Sequence, residues 1–536
     1  MRLHIREKPN SSGSISIQIV DREHRGYKVI ETVGCAKSKE EKQLYLDIAA
    51  KRVKELNKRY NPTLFDTIEE NEEPLEFIEL SNQSLVPVGD ELIYGKLFEK
   101  LGCHRIDLLD KKRHKLFKAL VISRILYPGS KLYLIDYLAY FKQEHIDKNK
   151  VYRFLDTLYQ EEIKEQIECC VFEHTKQIMK GTIAITFYDV TTLYFESESE
   201  DDLRRIGFSK EGKLARPQIL LGLFTTLEGY PLSYEVYEGN KYEGHTLIDI
   251  LEKFQKRFNL DTKPIVVADK GMLSSTNIAY LENNGYTYIL AYKIKAVDTK
   301  LKEQIANTVF TGDGDIHTIE IEKSISYKDE EEKKQCLNIK QKLILTYSSK
   351  RAKKDKRTRE KAIEKIEATL NKKNLAKSDL KLSYYAKYLD VTNENDNCTM
   401  QYQINPAKIE LDAKLDGIKG FATNDFTLKA NEVIAHYQNQ YAVERAFRIS
   451  KTDLRIRPIY HRLEHRIKAH ILISFVAYAL FKEFERKMKE NNITFNFSQK
   501  LLRDIISHMY ALNIEGKLLY LKFDEIQQMV FDAVRS

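Results

Sequence analysis

A chain of 536 residues is too long for one hydrophobic core, so two to four domains are expected, and its 42% aliphatic and aromatic content is that of a folded chain. The 87 Lys and Arg against 79 Asp and Glu leave a formal charge of +8, too mild an excess to require a polyanionic partner by itself. The six cysteines show no CxxC or Cys/His zinc spacing, there is no GxxxxGK[ST] phosphate loop, and the longest apolar run, 471–481, is too short to span a bilayer. Zinc-finger, nucleotide-hydrolysing and membrane-spanning classes therefore lack their signatures, and the cysteines read as reduced thiols of a cytoplasmic protein.

Residues 1–75 read as a small α+β unit. Two β-branched runs, SISIQIVD and YKVIETVG, flank a polar turn as a hairpin. A helix over 39–57 then carries Leu44, Ile48, Val53 and Leu56 at helical spacing, and a Glu-, Asn- and Pro-rich linker follows. Residues 84–180 show apolar positions three and four apart, broken at Pro128-Gly129, which predicts an all-α domain; small helical domains of this kind read DNA by entering the major groove.

At Gly181 the texture changes. TIAITFYDVTTLYF and ARPQILLGLFTT read as strands, and Glu228-Gly229 turns the chain into a third, PLSYEVYEG. A helix over about 246–258, the buried strand PIVVAD, a helix capped by Ser274 or Ser275 and stopped by Gly285, and the strand TYILAYKI follow. This β-β-β-α-β-α-β order is that of a ribonuclease-H-like core, assigned to 181–300 plus 416–490. Residues 301–415 interrupt it with short strands around a basic helix, 350–373, and read as a β-rich insertion domain. A long helix over about 429–453, a second over 464–489 and a C-terminal helical segment, 491–536, complete a multi-domain α/β chain.

That fold fixes where functional acids belong. Asp189 shares one face of the first strand with Ile183, Ile185 and Phe187, and a carboxylate ending an apolar face is costly unless paired or metal-bound. Asp269 ends PIVVAD, at the carboxyl end of a parallel strand where ligands of open α/β sheets gather. Glu444 lies on the late helix with Tyr437, Arg448 and Lys451 spaced seven, four and three apart, opposite the apolar Ala442, Ala446 and Ile449. Each has a bland reading as well: a strand-end Asp bonded into its turn, an Asp opening a turn before a helix, and an exposed Glu–Arg stripe. Three carboxylates suit phosphodiester cleavage, because two Mg²⁺ ions serve both the attacking and the leaving oxygen and prefer hard oxygen ligands.

At these residues the sequence resembles insertion-sequence transposases of the DDE class that carry a β-strand insertion and a Tyr-x2-Arg-x3-Glu-x6-Lys signature. Tyr437, Glu444 and Lys451 match at the right spacing, and Gln440 stands where the signature has Arg. FYDVTTLYF and VVADKGM are similar to the group's two Asp motifs, and RIRPIYHRLEHRIKAHILISF to its segment after the Glu. The resemblance spans about 90–485. It implies a cut-and-paste DNA transposase with Asp189, Asp269 and Glu444 as catalytic ligands of two Mg²⁺ (Mn²⁺ substituting), and Tyr437, Arg448 and Lys451 on the DNA, with Lys451 holding a terminal phosphate. It further implies a prokaryotic, nucleoid-associated homodimer on terminal inverted repeats and target DNA, with no membrane. The rival readings are a non-catalytic DNA-binding protein derived from a transposase, and a related nuclease without strand transfer. With no Trp in the chain, a flipped base would have to stack on Tyr, Phe or His.

Two further features stay open. The helix over 350–373 fits a phosphate-lined groove or a solvated surface equally, and the Arg455-Ile-Arg457-Pro458-Ile-Tyr460-His461 run fits a DNA contact or a turn fixed by proline. His461 and His465 are four apart, but His461 is expected to precede the helix, and His465 and His470, five apart, have the wrong spacing for a helical zinc pair.

Overall fold

The computed structural model describes residues 2–22, 26–60, 84–107, 109–181, 183–208, 212, 215–258, 260, 262–272, 274–328, 331–370, 386–393, 400–494 and 498–536. The linker expected over 61–75 and Cys398 fall outside them. The described residues divide into two compact units, 1–82 and 83–536.

The first unit is a three-stranded antiparallel sheet of β1 (Leu3–Pro9), β2 (Ile15–Asp21) and β3 (Lys28–Ala36), covered by α1 (Lys39–Tyr60). The hairpin and the helix stand where the periodicity puts them. The additional strand β1 is hidden in the sequence because LHIREKP is an edge strand with charged positions in solvent. On α1, the packed residues are Tyr45, Leu46, Ala49, Val53 and Leu56, while Leu44 and Ile48 are 57% and 44% exposed.

The second unit opens with the short strand β4 (Leu85–Pro87) and a helical stretch, α2 (Lys96–Lys100), α3 (Lys111–Leu126), α4 (Lys131–Phe141), α5 (Lys148–Leu158) and α6 (Glu161–Ile178). Ordinary caps start these helices: Asp110, Ser130 and Asp147 accept amide protons at the first turns of α3, α4 and α5. Then come β5 (Ile185–Tyr194), β6 (Gln218–Thr226), β7 (Pro231–Glu238), α7 (Leu247–Phe258), β8 (Ile265–Ala268), α8 (Ser275–Asn283), β9 (Tyr288–Tyr292) and α9 (Thr299–Ala306). Strands β5, β6 and β7 are antiparallel, and β8 and β9 continue parallel to β5, so the sheet reads β7-β6-β5-β8-β9. This is the order expected of a ribonuclease-H-like core.

The stretch 301–415 does not keep its strands to itself. β10 (Ile316–Lys328) and β11 (Lys334–Tyr347) form a long hairpin that joins the same sheet through β14 (Ile418–Thr423), giving eight strands in the order β10-β11-β14-β9-β8-β5-β6-β7. Only β12 (Leu389–Asn393) and β13 (Met400–Ile404) pair apart, near α10 (Ser349–Leu370) and α11 (Pro406–Lys414). Pairing of β11 with β14 depends on residues some 75 apart in sequence, which no local pattern encodes.

After β14 the chain forms α12 (Ala430–Gln438), α13 (Tyr441–Thr452), α14 (Glu464–Glu490), α15 (Gln499–Ser507), a hairpin of β15 (Tyr510–Ile514) and β16 (Lys517–Tyr520), and α16 (Glu525–Arg535). The apolar run at 471–481 is the buried centre of α14, around which α2, α3, α5 and α6 assemble. Phe187 and Leu193 of β5 share a core with α13 and α14, whereas Tyr188 and Val190 face α7 and α8. The helical stretch is thus continuous in packing with one face of the sheet. The C-terminal segment is not purely helical: β15 pairs with both β16 and β4, around a tight turn at Glu515-Gly516 where both φ angles are positive. Among the described residues no helix is long and apolar enough to cross a membrane.

Candidate functional site

Asp189 sits in the fifth position of β5, half-buried, on the face shared by Phe187 and Leu193. Its Oδ1 accepts the Val190 amide at 2.8 Å. The parallel pairing of β5 with β8 runs from Ile185↔Ile265 to Tyr188↔Ala268, and one further step along that register reaches Asp189 and Asp269. Two carboxylates therefore stand side by side, Asp189 midway along β5 and Asp269 at the carboxyl end of β8, on neighbouring parallel strands whose spacing is roughly 5 Å. Asp269 is held in place by the turn that follows it, in which its carbonyl accepts from Met272 N at 2.9 Å.

The helix expected over 429–453 is two helices. Between α12 and α13 the chain tightens: Gln440 N donates to Tyr437 O at 3.0 Å and Ala442 N to Asn439 O at 2.9 Å, bonds of three-residue span in place of four. Both junction residues keep right-handed backbone angles, which is why apolar periodicity runs through the break unmarked. Tyr437 thus belongs to α12 and Glu444 to α13, and they do not share one helical face.

Tyr437 nevertheless reaches the site. Its ring packs on Phe421 of β14 with centroids 4.8 Å apart, and its hydroxyl donates to Asp269 Oδ1 at 3.2 Å. Burial raises the phenol above its ordinary value. The Asp269 carboxylate adds to the rise through charge and hydrogen bond, and the charges of Asp189 and Glu444 add to it again. At neutral pH this hydroxyl is a fixed donor.

On α13, Ala442, Ala446 and Ile449 are buried against the core, as their stripe requires, while Glu444 and Arg448 are exposed on the opposite side. Lys451, one turn further on, donates from Nζ to Thr191 Oγ1 at 2.7 Å. Thr191 follows Asp189 by two residues and so lies on the same face of β5. Gln440, at the Arg position of the signature, is 7% exposed at the start of α13.

The donors here are carboxylate oxygens, the hard ligands that Mg²⁺ prefers, and Mg²⁺ needs only one or two of them while it keeps water. Asp189 and Asp269 meet that requirement by register. As the side chains stand, no group of three or more His, Cys, Asp or Glu among the described residues is gathered closely enough to enclose an ion.

The other sequence features find distinct places. α10 buries Ala362 and Ile366 in a small core with Tyr388 and Leu389, and Arg359 bridges to Asp416; Lys353, Lys354, Lys356 and Arg357 lie in solvent. In the 455–461 run, the Arg457 guanidinium lies over the ring of Tyr194, the last residue of β5, at 5.4 Å. His470 is buried, His461 is partly so, and His465 lies 2.8 Å from Asp156. Sequence reasoning passed over Thr191, whose two-residue offset from Asp189 was the available signal. It also passed over Arg124 and Lys131, which are 5% and 8% exposed. An arginine inside the apolar run ALVISRIL was the sign for the first.

The family described as "Transposase DDE domain" matches residues 180–480, more than half of the chain and inclusive of Asp189, Asp269, Tyr437, Glu444 and Lys451. No curated protein matches the chain. Among solved structures, a piggyBac transposase synaptic complex with hairpin DNA, determined by cryo-EM, is similar over 79% of each chain at 10% identity, with a TM-score of 0.35, a likeness too slight to bear on the site.

Proposed function

Because the chain belongs to the transposase DDE domain family, we propose that it cuts and rejoins DNA at the ends of a mobile element by a cut-and-paste route, with Asp189, Asp269 and Glu444 as its catalytic carboxylates. The observation that carries this reading is the strand register that sets Asp189 beside Asp269, with the Tyr437 hydroxyl bonded to Asp269. Proteins of this family use divalent metal ions. Two Mg²⁺ ions, or Mn²⁺ in their place, held by these acids would stabilise the attacking and leaving oxygens of phosphodiester cleavage.

The chain's own groups supply the rest. Tyr437 orients the Asp269 carboxylate. The apolar stripe of α13 fixes Glu444 relative to β5, and Lys451, anchored on Thr191, puts a positive charge beside the strand that carries Asp189. With Arg448 on the exposed side of α13, that charge suits a DNA phosphate. The partners that follow are the terminal inverted repeats and target DNA, bridged by two copies of the chain.

A second reading, a non-catalytic DNA-binding derivative, is favoured by the exposure of Glu444 and by the lack of a closed three-acid group among the described residues. One experiment separates them: supercoiled plasmid carrying the two element ends, incubated with Mg²⁺ or with EDTA, using wild type, Asp269→Asn and Glu444→Gln. Mg²⁺-dependent cuts at the ends, lost in both folded variants, support the transposase. Binding without cuts by wild type overturns it in favour of the derivative.

A further inference from the structure

A cavity of about 940 Å³ lies between α3, α4 and the 455–461 run, and the residues around it belong to no role assigned so far. Six cationic side chains line it (Arg124, Lys131, Arg455, Arg457, Lys500 and Arg503) against the single carboxylate of Asp504. Two of the cations, Arg124 and Lys131, are buried. Buried charges in proteins are ordinarily paired with an opposite charge, because desolvation otherwise goes uncompensated.

These two have only neutral partners among the described residues. Arg124 Nη1 donates to Arg455 O at 3.3 Å, Nη2 lies 3.4 Å from His470 Nδ1, and Nε has no partner. Lys131 Nζ also bonds His470 Nδ1. The imidazole is fixed for this: its Nε2 lies 2.8 Å from Ile456 O, so that nitrogen carries the proton and Nδ1 presents a lone pair to both cations. Burial holds Arg124 down to about 10; burial and the charge of Arg124 hold Lys131 well below its ordinary value. Arg503 likewise spends its Nη1 on the carbonyl of Asp453 at 2.8 Å.

The backbone adds to the same field. α4 begins at this cavity: Ser130 caps it, accepting the Tyr133 amide at 3.1 Å, and the positive end of an eleven-residue helix faces the lining residues Lys131 and Leu132. First-turn amides have no intrahelical acceptor and favour an anion. A helix N-terminus, two buried cations without a carboxylate and a rim of arginines together lack one thing, a multivalent oxyanion.

We propose that this cavity is a phosphate-binding site in which Arg124, Lys131 and the first amides of α4 hold a backbone phosphate of bound DNA. The proposal rests on the transposase reading for the source of the phosphate, not for the site. DNA is the favoured source because Arg457, on the cavity wall, stands over Tyr194 at the end of the strand that carries Asp189, so the cavity adjoins the strand at which a duplex would engage the acids.

The test uses the full chain and two variants, Lys131→Met, which removes a buried charge at nearly constant volume, and Arg457→Gln at the wall. Thermal unfolding is measured in inorganic phosphate against sodium chloride of equal ionic strength, and duplex DNA affinity is measured across a salt series. Phosphate should raise the wild-type Tm by several degrees beyond the chloride control, and the rise should vanish in Lys131→Met and shrink in Arg457→Gln. Without phosphate, Lys131→Met should unfold no earlier than wild type. Its DNA affinity should fall roughly tenfold and its salt slope by about one. No phosphate-specific rise, or an undiminished one in Lys131→Met, overturns the site. A rise lost in the variant with DNA binding unchanged overturns the DNA source and assigns the cavity to a free phosphate compound. Phosphate response in a wild type that never cuts DNA would fault the transposase reading alone.

Discussion

Tyr437 and Asp269, 168 residues apart in sequence, are joined by a hydrogen bond of 3.2 Å from phenol to carboxylate. The bond links a helix beyond the interrupting stretch 301–415 to the end of a central parallel strand, and it depends on the tightened junction between α12 and α13. Changing Tyr437 to Phe keeps the ring on Phe421 and removes only the donor. The expected outcome is a loss of about 1 kcal/mol or less in stability and a cleavage rate lowered roughly tenfold. Chemical denaturation and single-turnover cleavage check the two halves; an unchanged rate would detach Tyr437 from the site.

Gln440 occupies the position of the arginine in the signature that the sequence resembles, yet it is buried at the helix junction. Gln440→Arg is therefore expected to destabilise the fold by roughly 1–3 kcal/mol and to leave DNA affinity no better. A gain in affinity at constant Tm would show that the side chain reaches solvent.

Glu483, on α14, makes a pH prediction. Burial pushes its carboxyl up, but the Arg486 guanidinium bonded to both its oxygens, with His174 Nε2 3.2 Å away, more than offsets this and holds it at about 2, against 4.5 for the free group. A depressed folded-state value stabilises above the unfolded pKa, and the contribution is lost as pH falls from about 4.5 through about 2, at most about 3 kcal/mol in all. Glu483→Gln should lose stability at pH 7 and show a flatter decline between pH 4.5 and 2 than wild type. Urea unfolding at several pH values measures the difference.

Gly222, in β6 beside Val190 of β5, has no room for a methyl group: a Cβ there would come within 2.5 Å of the Tyr188 hydroxyl. That phenol is buried and bonded to Thr246 at 2.7 Å, so it cannot swing away. Gly222→Ala should cost roughly 1–3 kcal/mol by overpacking, read as a lower Tm.

The strands around the proposed acids were legible because each is a β-branched run bounded by turn residues, and their order is what singled out Asp189 and Asp269 as candidates. α14 was legible from its apolar run alone. What stayed hidden was set by distance or by compensation. β10 and β11 join the main sheet through a partner far along the chain. β1 hides its register under exposed charges. The α12–α13 junction leaves periodicity intact while moving Tyr437 off the helix of Glu444. Lys131 looks like an ordinary surface cation in the sequence, since burial is a property of the assembled helices.

β15 hydrogen-bonds to β4, pairing Tyr510 with Pro87 and Leu512 with Leu85. The first strand of the larger unit thus waits for a partner that follows the whole catalytic-domain match. During synthesis, more than four hundred residues must emerge between the two strands before the unit can close. A chain cut before Tyr510 leaves β4 an open edge, exposed to aggregation.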